Sequence, residues 1–118
     1  MKKRILVVEN NKDILELISL VLEDAGYEYS LYLNEKGIFD HIVEFKPNAI
    51  LLDIIKPTIE GTELCRQIKA AEGTKHIPVI VLSTHPQIKQ VKDICADDVV
   101  EKPFDIEGLL AALNEQLT

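Results

Sequence analysis

Five polar residues stand where short strand-like runs end in this chain. Glu9 and Asn10 follow Ile5-Leu6-Val7-Val8, Asp53 follows Ala49-Ile50-Leu51-Leu52, Ser83 follows Ile77 to Leu82, and Lys102 follows Asp98 to Glu101. Four apolar residues in a row with no polar partner read as a strand buried on both faces, the pattern of a parallel sheet covered by helices. An ionised carboxylate such as Asp53 at the end of that run has left the apolar layer for the carboxyl edge of the sheet. Open α/β folds place their ligands and chemistry at that edge. Taken singly, each residue has an ordinary explanation: Asp53 forms a turn or a cap, Asn10 and Ser83 cap helices, and Lys102 is solvated. Parallel strands share one carboxyl edge, so the five together converge on one cleft.

The elements that must hold them are legible from periodicity. From Asn11 the pattern is helical, with Ile14, Leu15, Leu17, Ile18, Val21, Leu22 and Ala25 on one stripe and Gly26 at the helix end. Tyr27 to Leu33 suits a less buried strand, and Glu35 to Phe45 a helix stopped by Pro47. After Asp53, Pro57 and Gly61 punctuate a loop, and Thr62 to Ala71 is helical through Leu64, Cys65 and Ile68. Pro86 to Ile94 reads as a short helix, and Asp105 caps a last helix with the stripe Leu109, Leu110, Leu113 and Leu117. Five strands alternating with five helices predict a doubly wound parallel sheet of order 2-1-3-4-5, a flavodoxin-like (βα)5 architecture.

Composition narrows the function classes. The 118 residues predict one domain, 1–118, with no second domain to carry an output. A net charge of −7 works against phosphate-neutralising binding, so nucleic acid is not expected as a direct partner. No apolar run approaches the about 18 residues of a membrane span, and the Met-Lys-Lys-Arg start lacks a signal-peptide core. A cytoplasmic location is the expectation. Cys65 and Cys95 have no metal-ligand spacing and read as two buried free thiols, neither a zinc site nor a bridge. His41, His76 and His85 form no ligand pair.

The ordered set Val7-Val8-Glu9-Asn10, Leu52-Asp53 with Pro57 and Gly61, Val81-Leu82-Ser83, and Ala96-Asp97-Asp98 running into Lys102-Pro103-Phe104 resembles the receiver domain of two-component response regulators. The resemblance covers the whole chain. Flavodoxin-like cofactor binders share the topology, but Glu9-Asn10-Asn11-Lys12 offers no glycine-rich phosphate cradle. The resemblance implies that Asp53 accepts a phosphoryl group from a histidine kinase or histidine phosphotransfer protein. It implies Mg2+ held by Glu9, Asn10, Asp53 and the backbone carbonyl of Ile55, and Lys102 paired first with Asp53 and then with the phosphoryl oxygens. Ser83 would donate its hydroxyl to the phosphoryl group, and Lys102-Pro103 would be a cis peptide. A downstream protein would read the modified state, the chain itself being a monomer or weak homodimer.

Three positions and one segment depart from the family pattern. Asn10 stands in place of a second Asp, Thr84 in place of Ala or Gly, and Val99 in place of a switch aromatic three residues before Lys102. The segment from Ser83 to Cys95 is about one turn short for a fourth helix. Ile55 and His85, two residues beyond Asp53 and Ser83, flank the path of an attacking water. The alternative to a phosphoacceptor is a degenerate receiver that binds or dimerises independently of phosphorylation.

Overall fold

A computed structural model describes residues 2–118. The chain runs β1 (Arg4–Val8), α1 (Lys12–Asp24), β2 (Glu28–Tyr32), α2 (Ile38–Phe45), β3 (Ala49–Asp53), α3 (Glu63–Ala70), β4 (Val79–Ser83), a 3-10 helix (Ile88–Asp93), β5 (Asp98–Glu101) and α4 (Ile106–Leu117). The strands form one parallel sheet of order β2-β1-β3-β4-β5, as the alternation of patterns predicts.

The apolar runs have no polar partner residues because the sheet is covered on both faces. Alternate strand residues belong to different cores. Leu6, Val8, Ile50, Leu52, Val79 and Val81 pack with Ile38, Ile42, Cys65 and Ile68 of α2 and α3. Ile5, Val7, Ala49, Leu51, Ile80 and Leu82 pack with Leu15, Ile18, Leu22, Leu109 and Leu113 of α1 and α4. Of the last helix's expected stripe, Leu109 and Leu113 are buried, with Ala112 beside them, while Leu110 and Leu117 are only half-buried. Local caps hold the helix starts: Asn11 accepts from the Ile14 amide, and Asp105 from the Gly108 amide.

Three expectations need correction. The predicted helix from Glu35 begins only at Ile38, because Asn34 accepts from the Lys36 amide and Gly37 takes a φ of +69°, closing a turn first. The predicted fourth helix is a 3-10 helix, so the described residues hold four α-helices and one 3-10 helix. Its two buried side chains, Ile88 and Val91, lie three residues apart, the period of a 3-10 turn. The amides of Ile94, Cys95 and Ala96 all converge on the Val91 carbonyl and end it tightly.

The third correction concerns the cysteines. Cys65 and Cys95 are joined as a disulfide, with Cα atoms 5.8 Å apart, and neither is a free thiol. Their separation of 30 residues conceals that α3 and the turn after the 3-10 helix pack into the same core. The closed loop holds β4 and the 3-10 helix. Reduction should lower the unfolding free energy by about 2–4 kcal/mol through the lost loop constraint. Urea unfolding of reduced and non-reduced protein, with thiol counting on each, measures this; equal stabilities would show that the bridge constrains little.

Candidate functional site

The pleat decides which strand-end residues meet. Asp53 continues the β3 series Ala49-Leu51 that faces α1 and α4, and Glu9 extends the Ile5-Val7 series of β1 in the same direction. Lys102 extends the Val100 position of β5 likewise. These three meet. The Lys102 Nζ donates to Glu9 Oε1 at 2.8 Å and to Asp53 Oδ1 at 3.0 Å. Ser83 has the opposite parity and lies one register step beyond Asp53, which pairs with Leu82. Its side chain therefore stays off the ion cluster.

Both acids are deeply placed, with side-chain exposures of 0% for Glu9 and 7% for Asp53. Buried carboxylates are tolerated only when paired and hydrogen-bonded. Glu9 satisfies this completely, because its second oxygen, Oε2, accepts from the Asn11 amide at 3.0 Å. Asp53 does not: among the described residues no hydrogen bond reaches its Oδ2. No buried side-chain oxygen lacks a partner, so Oδ2 is the atom through which Asp53 meets solvent. Burial disfavours the charge on Lys102, but the hydrogen bonds it donates to both carboxylates more than offset it. Its pKa is raised above that of an ordinary lysine.

Asp53 opens onto a groove of about 230 Å3 shared with Asn10, Leu33, Asn34, Glu35 and Ile55. The groove lies where β1 and β3 end side by side, the topological switch point of this strand order. Asn10 and Ile55 are exposed on its walls, as is Lys56 just beyond. Asn34 and Glu35 escaped the sequence reading because Glu35 was assigned to the start of α2. The turn signal Asn34 with Gly37 could have placed them on the loop instead.

Ser83 is 1% exposed, and its hydroxyl oxygen accepts from the His85 amide at 3.1 Å. His85 in turn accepts at Nδ1 from the Gln87 amide, which fixes the ring over the start of the irregular segment. Thr84 is exposed, and Val99 packs half-buried against the α2–α3 core. The chain crosses from β5 to α4 through a cis Lys102-Pro103 bond. The Lys102 amide donates to the Ser83 carbonyl at 2.7 Å, which anchors the lysine's backbone to β4.

The loop between β3 and α3 is braced on the other side. Thr62 donates its hydroxyl to the Thr58 carbonyl at 2.8 Å, and Arg66 reaches back to the Ile59 carbonyl at 2.6 Å. Gly61 is required, since a Cβ there would run into the carbonyl oxygen of Lys56. This bracing sets where Ile55 and its carbonyl stand relative to Asp53.

Comparison with known proteins agrees with this geometry. The family model described as "Response regulator receiver domain" matches residues 5–114. The phosphate regulon transcriptional regulatory protein PhoB of Pseudomonas aeruginosa is 38% identical over 118 residues, covering 98% of this chain and 52% of PhoB. The chain spans about half the length of the curated relatives it matches. Chemotaxis protein CheY4 of Vibrio cholerae superposes with a TM-score of 0.86 at 27% identity, over 99% of this chain and 100% of that one. The receiver domain of sensor histidine kinase PA1611 from Pseudomonas aeruginosa PAO1 gives a TM-score of 0.85 at 24% identity, covering 99% and 98%. That structure has a magnesium ion coordinated in its active site cleft. This chain belongs to the response regulator receiver domain family.

Proposed function

We propose that the chain is a working phosphoacceptor, in which Asp53 takes a phosphoryl group from a phosphohistidine of a histidine kinase or phosphotransfer protein. The observation that carries this reading is the divided state of Asp53. One oxygen is held by Lys102 at 3.0 Å, while the other is free at the mouth of the groove. The free oxygen attacks phosphorus, the P–N bond breaks with its electron pair passing to the imidazole, and an acyl phosphate results. Lys102 is placed to follow the new phosphoryl oxygens while Glu9 keeps it anchored. The Ser83 hydroxyl accepts one hydrogen bond and retains its proton, so it can turn to donate to a phosphoryl oxygen.

Among the described residues no three His, Cys, Asp or Glu side chains form a metal-binding group, which argues against an all-protein cage. The donors that do reach the groove, Asp53 Oδ2 and the amide of Asn10, are hard oxygens. Ile55, whose backbone carbonyl the family resemblance implies as a further donor, lines the same groove. That set suits Mg2+, which binds through few carboxylates and keeps several waters. When bound, the ion would neutralise charge on the transferred phosphoryl oxygens. Glu9 supports it by field, since both its oxygens are engaged elsewhere.

The 118 residues act as one receiver unit that assists its own phosphorylation and dephosphorylation and is not an enzyme with a separate substrate. Its partners are the phosphoryl donor and a downstream protein that reads the Ser83 to Val99 side, with no direct contact to nucleic acid or membrane. Among the described residues no helix is long and apolar enough to cross a membrane, and a cytoplasmic site of action fits this chemistry. Val99 has little reach for a large rearrangement, and Thr84 and His85 line the side from which the modified state is read. No observation favours a phosphorylation-independent module.

Acetyl phosphate with Mg2+ should add one phosphoryl group by intact mass, Asp53→Asn should add none, and Lys102→Ala should slow transfer on the order of 100-fold. Incorporation on the Asp53→Asn variant at another carboxylate, or a larger loss from Lys56→Ala than from Lys102→Ala, would contradict the assignment. The phosphorylated form should decay slowly, because exposed, apolar Ile55 offers water no hydrogen bond; Ile55→Asn should shorten its lifetime in a dephosphorylation assay. The raised pKa of Lys102 also sets a pH dependence. A lysine gaining partners on folding stabilises fully below its unfolded value of about 10.4 and loses that contribution as pH climbs through the higher folded value. The stability gap between wild type and Lys102→Met, measured by urea unfolding, should therefore be widest below about pH 10 and narrow above it.

A further inference from the structure

Asn10 removes a formal charge from the groove, and Glu9 cannot restore it by direct contact. Its Oε1 is bound to Lys102 and its Oε2 to the Asn11 amide, with the side chain fully buried. Asp53 alone presents a carboxylate oxygen to the groove from the strand ends. One further acidic residue lines the same space: Glu35, on the turn between β2 and α2, which also borders the pocket between α2 and α3. That turn is fixed by local hydrogen bonds, with the Glu35 carbonyl accepting from the Ile38 amide at 3.1 Å and the Asn34 side-chain oxygen from the Lys36 amide at 3.0 Å. The Glu35 side chain makes no ion pair or hydrogen bond among the described residues.

We propose that Glu35 is a further cation-positioning residue of this groove, acting on hydrated Mg2+ through its waters in place of the charge that Asn10 lacks. The inference rests on the metal-dependent reading above. Two observations point to a ligand here. Asp53 is a carboxylate with 7% side-chain exposure whose free oxygen faces the groove. The groove's volume of about 230 Å3 corresponds to roughly eight waters at about 30 Å3 each, room for a cation that retains most of its shell. Among the described residues Glu35 belongs to no cluster of three metal-ligating side chains, so the role proposed for it is through metal-bound water and not direct ligation. Asn34, beside it, offers an amide to the same waters. The geometry makes the β2–α2 turn part of the site, where the strand ends alone would leave it short of charge.

The test is a Mg2+ titration followed by amide chemical shifts around Asn10 and Asp53, with no phosphoryl donor present. Glu35→Gln should weaken affinity roughly 3- to 10-fold, the effect of one unit charge on a divalent ion through water. Glu60→Gln, an exposed acid outside the groove, should leave it unchanged. In an Asn10→Asp background, Glu35→Gln should cost less, because the new carboxylate supplies the missing charge. If wild type binds Mg2+ but Glu35→Gln binds it equally well, or if Glu60→Gln weakens it as much, the role of Glu35 is overturned and the metal-dependent reading stands. If wild type shows no Mg2+-dependent shifts, both are overturned.

Discussion

Two carboxylates and one ammonium are held together at the carboxyl edge of a sheet otherwise closed by apolar side chains. Removing Lys102 would leave two deeply buried acids facing each other, an arrangement that costs several kcal/mol in real proteins. The lysine must therefore arrive at one place, and much of the local architecture serves that delivery. β5 docks beside β4, the Lys102 amide binds the Ser83 carbonyl, and the chain then turns away into α4. The alternation of side chains about the strands completes it. Glu9, Asp53 and Lys102 share one parity, so their side chains lie on the same side of the sheet's edge.

The two acids differ in what hydrogen bonds leave free, although their residue types are nearly the same. Glu9 spends both oxygens inside the protein, and Asp53 spends one. The first acid works as a fixed charge that anchors the lysine, and the second keeps an oxygen for chemistry at the groove.

The two faces of the sheet are built unequally. The face toward α1 and α4 is covered by helices of 13 and 12 residues. The other face is covered by two helices of eight residues and a 3-10 helix of six. The Cys65–Cys95 bridge lies on this second face and ties α3 to the end of the 3-10 helix. Ser83 touches the same segment through the His85 amide. The less regular layer, with its covalent anchor, is thus the one adjoining Ser83.

Sequence alone determined the strands, their order, and the strand-end set of Glu9, Asp53, Ser83 and Lys102, because long apolar runs and helical stripes are local patterns that survive without coordinates. It also carried the family resemblance. Tertiary structure decided what local patterns cannot encode. Whether Ser83 joins Glu9, Asp53 and Lys102 depends on pleat parity across three strands, and it does not join them. Whether Pro86 to Ile94 forms an α-helix depended on which of its side chains found a core, and only Ile88 and Val91, three apart, did so. Cys65 and Cys95 meet because two elements distant in sequence pack into one cluster. Glu35 reaches the groove because Gly37 closes a turn before α2 can begin, a contest between helix periodicity and turn chemistry that was settled only by the packing around it.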